Sequence, residues 1–301
     1  MAIYFVFVDG IGLGESVSSN PLNSDRWAFF NEVTNHCKLL LSTSPIIDTN
    51  KVFKPIDATL GVEGLPQSGT GQVSLFTGVN AAKEVGKHYG PYPHSGTKPL
   101  LKEYNLIKKL SLRELSFYFM NAYPPVFFTI SEQRDRWSTT TLMCRYSNRR
   151  LNTIEDVINE NAITAEITQE VWNQRLGLNI PAILPNDAAG RMITKAQTHD
   201  LVLYEYYLTD KAGHEQNHEM SVEVLRRLDV FLMEILNKMS DEDLLILTSD
   251  HGNIEDLRVK THTRNPVPLV VVGHKASIFA DAESIVDVVP LLERYLMSGL
   301  A

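Results

Sequence analysis

Short apolar runs that end next to acidic residues recur along the chain. The first, Ile3 to Val8, is followed at once by Asp9. Similar runs cover Leu201 to Leu208 and Leu244 to Leu247, and each has an aspartate within three residues of its end. Strands that are buried on both faces of a parallel sheet read as continuous hydrophobic runs. The pattern therefore predicts three central strands of an α/β protein.

Longer segments with apolar residues at helical spacing lie between or beyond these runs. The segment from His218 to Met239 carries an apolar stripe of the kind that covers one face of a sheet. Asn20 to Leu41 and Ser284 to Met297 are also predicted to be helical, whereas Ile56 to Leu60 and Val267 to Val272 are predicted to be strands. This alternation is typical of a sandwich in which helices flank a mostly parallel sheet.

The character of the chain changes between residues 87 and 198. Glycine and proline cluster from Gly86 to Pro93, as expected of a hinge. Beyond it, an alternating stretch from Ser116 to Met120 is mixed with a helical one from Ile154 to Asn161. We therefore predict a core made of residues 1–86 and 199–301, and an inserted α+β cap domain made of residues 87–198.

Composition excludes several classes of protein. The 301 residues are 44% hydrophobic, and the net charge of −8 argues against nucleic-acid or anionic-membrane partners. No apolar run approaches the ~20 residues of a membrane span, and no basic segment precedes an apolar stretch at the N-terminus. Two cysteines are too few for a disulfide framework. We expect a cytoplasmic protein with a small-molecule partner, and its oligomeric state stays open.

An aspartate follows each of the three predicted central strands, and a histidine follows two of these aspartates within four residues. The carboxyl ends of strands in open α/β sheets form ligand crevices, and oxygen and nitrogen donors of this kind suit divalent metals. An ordinary polar turn could explain the polar residues at any one strand end. Chance placement of all of them at strand ends is far less probable. The candidate donors are Asp9, Asp210, His214, Asp250, His251 and His262.

A loop rich in small and hydroxyl residues runs from Gly64 into an apolar segment that ends at Gly78. It is predicted to lead into a helix that begins near Gly71. The N–H groups and partial positive charge of a helix N-terminus can hold a phosphoryl group. Ser68 or Thr70 could serve there as a nucleophile if a metal lowered its pKa. The alternative is an ordinary helix N-cap.

Arginines are concentrated between Ser131 and Arg150, a stretch that contains five arginines and only two acidic residues. A solvated surface is one interpretation of this stretch. The other is a clamp for an anionic substrate, because guanidinium groups bind phosphate oxygens in pairs. The candidates for such a clamp are Arg134, Arg136 and Arg145.

Taken together, these motifs resemble those of the alkaline-phosphatase-like metalloenzyme superfamily. The closest branch is that of cofactor-independent phosphoglycerate mutase and phosphopentomutase, and the resemblance covers residues 1–86 and 199–301. One departure is Gln72, which stands where the mutases usually carry a histidine. The matching motifs are Asp9-Gly10, Gln67-Ser68-Gly69-Thr70-Gly71, Asp210-x-x-x-His214, Ser249-Asp250-His251-Gly252-Asn253 and His262-Thr263-Arg264-Asn265-Pro266-Val267-Pro268.

The resemblance implies an alkaline-phosphatase-like sandwich that binds two divalent metal ions. Manganese is expected, with zinc and magnesium as alternatives. Ser68 corresponds to the phosphorylated nucleophile, with Thr70 as its rival. The implied ligands of one ion are Asp210, His214 and His262, and those of the other are Asp9, Asp250, His251 and Ser68.

The function implied by the resemblance is phosphoryl transfer. The first interpretation is a phosphatase that hydrolyses a small phosphoester through a phosphoserine intermediate. A phosphomutase is the alternative, followed by a phosphodiesterase. A metal-binding protein that keeps the fold without the activity is a further possibility, but the complete set of donors argues against it.

Overall fold

Seven strands form one sheet at the centre of the protein, in a computed structural model that describes residues 1–298. In chain order they are β1 (Ile3–Val8), β2 (Ile46–Asp48), β3 (Lys51–Ile56), β4 (Phe117–Phe119), β5 (Leu201–Tyr206), β6 (Leu244–Thr248) and β7 (Val267–Gly273). Their order in the sheet is β2-β3-β7-β6-β1-β5-β4. Neighbours from β6 to β4 are parallel, whereas β2, β3, β7 and β6 pair antiparallel in turn. Five strands therefore run in one direction, and the prediction of a mostly parallel sheet is confirmed.

Helices cover both faces of the sheet. Side chains alternate along β1, so Phe5 and Phe7 pack into one hydrophobic core while Tyr4 and Val6 pack into the other. This arrangement confirms the predicted α/β sandwich. The helices are α1 (Ala28–Val33), α2 (Ser68–Thr77), α3 (Ala81–Val85), α4 (Lys98–Tyr104), α5 (Leu106–Ser111), α6 (Pro125–Arg134), α7 (Thr139–Tyr146), α8 (Ile154–Ile158), α9 (Glu170–Leu176), α10 (Pro185–Ala196), α11 (Leu208–Glu215), α12 (His218–Lys238) and α13 (Val288–Ser298).

The segment from 87 to 198 contributes a strand to the central sheet and side chains to both of its hydrophobic cores. Its strand β4 pairs with β5 in the central sheet. Leu101 and Leu110 join the core on one face, and Met192 joins the core on the other. A smaller cluster around Trp172 belongs to this segment alone. The segment therefore shares both cores of the sandwich and also has a cluster of its own, and its division from the core as a cap domain stays a prediction.

Two predicted elements near the N-terminus differ from those observed. Only α1 is helical between Asn20 and Leu41, because the Asn20 side chain bonds to the backbone of Glu15 and Leu22 and so competes with a helix. Beyond Ile56 the chain turns instead of extending. The Asp57 carboxylate accepts hydrogen bonds from the backbone N–H groups of Thr59 and Leu60, and the strand lies earlier, at Lys51–Ile56.

None of the helices within residues 1–298 is long and apolar enough to cross a membrane.

A buried carboxylate on α12 holds the start of α1. Asp229 accepts hydrogen bonds from the backbone N–H groups of Ala28, Phe29 and Phe30 at 2.8, 3.0 and 3.4 Å. Asp229→Ala leaves three backbone donors, two of them on buried residues, without this acceptor, so we expect a loss of about 2–3 kcal/mol in the free energy of unfolding. Denaturant titration measures it. The exposed Glu219→Ala variant on the same helix is the control, and equal losses in both would contradict this role of Asp229.

Candidate functional site

Two clusters of carboxylate and imidazole groups lie beyond the carboxyl ends of β1, β5 and β6. One contains Asp9, Asp250 and His251, and the other contains Asp210, His251 and His262. Within each cluster one potential ligand atom per residue lies within 4.8 Å of the others. Nε2 of His251 is 3.3 Å from Oδ1 of Asp9 and 3.4 Å from Oδ2 of Asp250. Side chains from three separate strands therefore converge on one place.

His214 and His262 complete the second cluster. Helix α11 places Asp210 and His214 on one face, as their spacing predicts, with 3.3 Å between Oδ2 and Nε2. Nε2 of His262 lies 3.4 Å from Oδ1 of Asp210 and 3.2 Å from Nε2 of His214. The Nδ1 atoms of the two histidines face the carbonyl oxygens of Lys260 and Pro66 at 2.6 and 2.7 Å. A carbonyl only accepts, so each Nδ1 carries the proton and each Nε2 is free to bind a cation.

The electrostatics of the first cluster favour a bound cation. Burial, and then the charges of Asp250 and Asp210, raises the pKa of Asp9 well above its usual value. Burial and the charge of Asp210 raise the pKa of Asp250 to about 7. Burial also lowers the pKa of His251 to about 3, which keeps its imidazole neutral. Close carboxylates of this kind are stabilised as anions when a positive ion lies between them.

Orphaned atoms test whether this donor set fits metal ions. Oδ1 of Asp9 and Oδ1 of Asp250 are buried, and neither has a hydrogen-bond partner within residues 1–298. Buried polar atoms are seldom left unpaired, because the lost hydration costs free energy. Carboxylate oxygens and neutral imidazole nitrogens are the donors that divalent ions take in proteins. The two clusters therefore fit a pair of divalent ions.

Gln72 lies between the carboxylates of the first cluster. Its Nε2 atom is 3.1 Å from Oδ2 of Asp9 and 3.1 Å from Oδ2 of Asp250. An amide donates two hydrogen bonds there without adding charge. The residue that departs from the mutase pattern is therefore part of the site, where it holds both carboxylates in place.

Ser68 and Thr70 have different environments at the N-terminus of α2. The helix begins at Ser68, earlier than the predicted start near Gly71. The Ser68 hydroxyl lies 2.9 Å from Nε2 of His251. Thr70 instead binds the loop that follows α3, since its N–H donates to the Tyr89 carbonyl at 2.9 Å and its hydroxyl accepts from the Tyr89 N–H at 3.1 Å. Ser68 faces the donor clusters, whereas Thr70 anchors the loop.

Gly69 allows that loop to approach the start of α2. A Cβ atom at this position would lie 2.2 Å from the carbonyl oxygen of Tyr92 and 2.6 Å from that of Tyr89. Because the Thr70 N–H is already paired with Tyr89, the N–H groups of Ser68 and Gly69 are the ones without an acceptor within residues 1–298. These two, and not those of the following turn, are available to an anion.

A cavity of about 620 Å³ opens above these groups. Asp9, Ser68 and Asp210 contribute to its floor, and α6 and α9 contribute to its walls. Arg134 and Arg136 line it, as does Arg175, which the sequence reasoning missed. None of the three forms an ion pair with a carboxylate within residues 1–298.

Arg145, the third predicted arginine, lies elsewhere. Its guanidinium group stacks 4.0 Å from the centre of the Trp137 ring and does not line the cavity.

Glu205 is a second cavity residue that the sequence reasoning missed. It lies in β5, is 6% exposed, and accepts a hydrogen bond from the Thr140 hydroxyl. Burial raises its pKa to about 7. The signal was present in the sequence, because Glu205 is the one charged residue in the apolar run from Leu201 to Leu208.

Glu255 ties together the loops that carry the predicted ligands. Its carboxylate accepts hydrogen bonds from the backbone N–H groups of Gly12 and Asn253 at 2.9 and 2.7 Å. It also accepts from the side chains of Asn265, at 3.0 Å, and Thr263. Glu255 is 1% exposed. Its buried carboxylate therefore connects three segments, which follow β1, follow β6 and precede β7.

Replacing Glu255 with glutamine is expected to weaken metal binding by up to about 10-fold, the lower end of the effect of an outer-shell partner, because Glu255 contacts the loops that carry the ligands and not the ligands themselves. The glutamine amide keeps the shape of the side chain but turns an N–H group toward donors that need an acceptor. Isothermal titration with Mn²⁺ measures the effect. Asp256→Asn, at the neighbouring surface position, is the matched control, and unchanged affinity in Glu255→Gln would contradict the role of Glu255.

Parts of this chain are similar in sequence to known metalloenzymes. The family model described as Metalloenzyme superfamily matches residues 156–297. A phosphopentomutase from Alkaliphilus metalliredigens is 32% identical over 120 residues, which are 40% of this chain and 28% of the relative. A 2,3-bisphosphoglycerate-independent phosphoglycerate mutase from Ehrlichia canis is 31% identical over 106 residues, 33% of this chain and 21% of the relative. The chain thus spans less than a third of the length of these relatives.

Solved structures match nearly the whole chain. The alkaline phosphatase of the Antarctic bacterium TAB5 has a TM-score of 0.59 at 11% identity and covers 97% of both chains. A cold-active alkaline phosphatase from Shewanella sp. has a TM-score of 0.58 at 9% identity and covers 98% of this chain and 100% of its own. At these identities the likeness concerns the fold. Together the comparisons confirm the resemblance to the alkaline-phosphatase-like metalloenzyme superfamily and its mutase branch.

Proposed function

We propose that the protein is a metal-dependent phosphoryl-transfer enzyme in which Ser68 accepts the phosphoryl group. The observation that carries this proposal is the position of the Ser68 hydroxyl. It lies 2.9 Å from Nε2 of His251, at the first residue of α2 and on the floor of the cavity. The site therefore combines a nucleophile, a helix N-terminus and two clusters of cation donors.

The residues of the chain divide the work in this proposal. The N–H groups of Ser68 and Gly69 would bind oxygens of the phosphoryl group. Gln72 and Glu255 would keep the carboxylates and loops in position. Two divalent ions, when bound, would lower the pKa of the serine hydroxyl and neutralise charge on the transferred group. The predicted holders of these ions are Asp210, His214 and His262 for one, and Asp9, Asp250, His251 and Ser68 for the other.

Two fates of the phosphoryl group are compatible with this chemistry. The names of the sequence relatives favour the phosphomutase alternative over the phosphatase given as the first interpretation. A mutase must keep water away from its phosphorylated intermediate. The exposed rim of the cavity supports hydrolysis as the second candidate, since Val126, Ile130 and Leu176 are each more than 40% exposed.

A direct test follows the phosphoryl group from substrate to product. The Mn²⁺-loaded protein is incubated with a panel of small phosphomonoesters, and inorganic phosphate and ³¹P spectra are recorded. A mutase yields a positional isomer without free phosphate, and a phosphatase yields free phosphate. Ser68→Ala serves as the blank for contaminating activity. If neither an isomer nor free phosphate forms with manganese, zinc or magnesium, the proposal is overturned.

The arginines of the segment from 87 to 198 provide a test of substrate binding. Arg134→Ala and Arg136→Ala are each expected to raise KM for a phosphorylated substrate by about 10-fold, because hydrogen bonds to charged groups contribute about 1.5–3 kcal/mol and exposure reduces this. Metal affinity should not change. Arg145→Ala is the matched control, since its side chain stacks on Trp137 outside the cavity. If the KM values of all three variants are equal, Arg134 and Arg136 do not bind the substrate and are part of a solvated surface.

A further inference from the structure

The walls of the cavity above Ser68 are largely apolar and aromatic. Of the fifteen large hydrophobic side chains that are exposed within residues 1–298, five line this one cavity. Exposed apolar side chains that cluster in this way mark a binding surface, whereas scattered ones do not. Several buried or half-buried rings add to the same wall. The principal apolar lining consists of Tyr92, Val126, Phe127, Ile130, Trp172 and Leu176.

The neutral polar side chains deep in the cavity are already engaged within the chain. Asn121 donates to the Glu205 carbonyl at 2.7 Å and accepts from the Glu205 N–H at 2.8 Å. Gln72 binds the carboxylates of Asp9 and Asp250. Ser138 caps α7. These three side chains offer a hydroxyl-rich ligand few free partners, so its hydroxyls would have to pair with the arginines, Glu205 or the tyrosine hydroxyls of the lining, and each unpaired group would cost it affinity.

Charge in the cavity is divided between its floor and its arginines. The floor holds Asp9, Asp210 and Ser68, and Glu205 also lines the cavity. Arg134, Arg136 and Arg175 supply positive charge, and none of them has a carboxylate partner within residues 1–298. A phosphoryl group satisfies the floor, and the apolar wall remains to be covered by the rest of the molecule. A volume of about 620 Å³ is within the ~300–1,000 Å³ range typical of small-ligand pockets.

We infer that the substrate is a phosphomonoester whose alcohol portion carries an aromatic ring. The phosphoryl group binds at Ser68, and the ring packs between α6 and α9 against Phe127, Ile130 and Trp172. A sugar phosphate with a hydroxyl on most of its carbons is the alternative that this wall disfavours, whereas the single further hydroxyl that a mutase would need as acceptor is compatible with it. The inference rests on the proposed function only in placing the phosphoryl group at Ser68, and it concerns the group attached to that phosphoryl.

Binding of phosphonates tests the inference without any turnover. Isothermal titration compares 2-phenylethylphosphonate with ethylphosphonate on the Mn²⁺-loaded protein. We expect the phenyl compound to bind at least 10-fold more tightly, because the two ligands differ only in the ring. Equal affinities, or no binding of either compound, would overturn the inference.

A double variant identifies the surface responsible. Val126→Asn with Ile130→Asn changes two side chains on α6 that are 45% and 44% exposed, so the fold should tolerate both. The preference for the phenyl compound should fall below 3-fold. Ile158→Asn, at a 59% exposed position outside the cavity, is the control and should keep the preference. A preference unchanged in the double variant would place the ring elsewhere and overturn the inference.

Turnover separates this inference from the proposed function. Phosphorylation of Ser68 is compared for 2-phenylethyl phosphate, ethyl phosphate and ribose 5-phosphate, which are all phosphates of primary alcohols, so the ring and the hydroxyl groups are the main differences. We expect the second-order rate constant for phosphorylation of Ser68 to be at least 10-fold higher for the phenyl compound. A preference for ribose 5-phosphate would overturn the inference and leave the proposed function intact. Tight binding of 2-phenylethylphosphonate without phosphorylation of Ser68 by any of the three compounds would overturn the proposed function and leave the inference intact.

Discussion

Ser68→Ala is expected to abolish phosphoryl transfer while leaving the fold and the metal content intact. The hydroxyl is the one within hydrogen-bond distance of the His251 imidazole in the described part of the chain, at 2.9 Å. Its removal takes away the atom that forms the bond to phosphorus, so the rate should fall by at least a thousandfold, as for other single nucleophile deletions. Intact-mass analysis after acid quenching should detect a phosphorylated wild-type protein and no phosphorylated variant.

Thr70→Ala is the matched control for that experiment. It removes a hydroxyl from the same turn, but this hydroxyl accepts a hydrogen bond from the Tyr89 N–H. We expect a loss of about 1 kcal/mol in the free energy of unfolding and continued phosphorylation at Ser68. A phosphorylated Ser68→Ala protein, or a phosphopeptide that maps to Thr70, would assign the nucleophile to the other hydroxyl.

Chelation of divalent ions is expected to eliminate activity and to lower the thermal stability of the protein. Without a cation, the buried Oδ1 atoms of Asp9 and Asp250 have no hydrogen-bond partner among the described residues, 1–298. A ligand present at a thousand times its Kd stabilises the native state by about 4 kcal/mol, so reloading should raise Tm by several degrees. Metal analysis should find two ions per chain, and activity should return on addition of Mn²⁺, Zn²⁺ or Mg²⁺, with manganese the most effective.

Variants of single donors resolve the two positions. Asp250→Asn should reduce the metal content to one ion per chain, and His214→Ala should do so at the other cluster, where the side chain is 44% exposed. Either change should cost most of the activity, because both ions act on the same phosphoryl group. Activity that resists exhaustive chelation, or a purified protein with only trace metal, would contradict the two-ion prediction.

The central strands were predictable because burial on both faces leaves a plain signature. The bounds of β1 match the apolar run from Ile3 to Val8, and α12 ends one residue before the predicted Met239. The polar residues that follow these strands then had to lie at one edge of the sheet. For this reason Asp9, Asp250 and His251 could be expected together before any coordinates were considered.

Long-range hydrogen bonds were not predictable in the same way. Gln72 and Glu255 are ordinary polar residues in sequence, and their importance depends on groups that come close only in the folded chain. Asp9 is 63 residues from Gln72, and Gly12 is 243 residues from Glu255. No periodicity relates such positions. The same holds for Arg145, whose place on Trp137 rather than in the cavity depends on how α7 packs.

The segment from 87 to 198 was the hardest to interpret because its apolar residues serve two purposes. Some, such as Leu101 and Phe117, complete the core of the sandwich, whereas Val126 and Ile130 line the cavity. Hydrophobicity alone does not distinguish the two groups. Its division from the core as a substrate-binding domain stays a prediction, which the KM values of the arginine variants test.

The position of β1 has a consequence for how the protein is made. This strand is synthesised well before its partners, which are β5 on one side and β6 on the other. Its partners begin at Leu201 and Leu244, so at about 5–20 residues per second an apolar strand waits at least ~10 seconds at the ribosome with both edges unpaired. Such edges are sites of aggregation. Efficient folding of the nascent chain should therefore depend on chaperones that shield β1 until β5 and β6 have emerged.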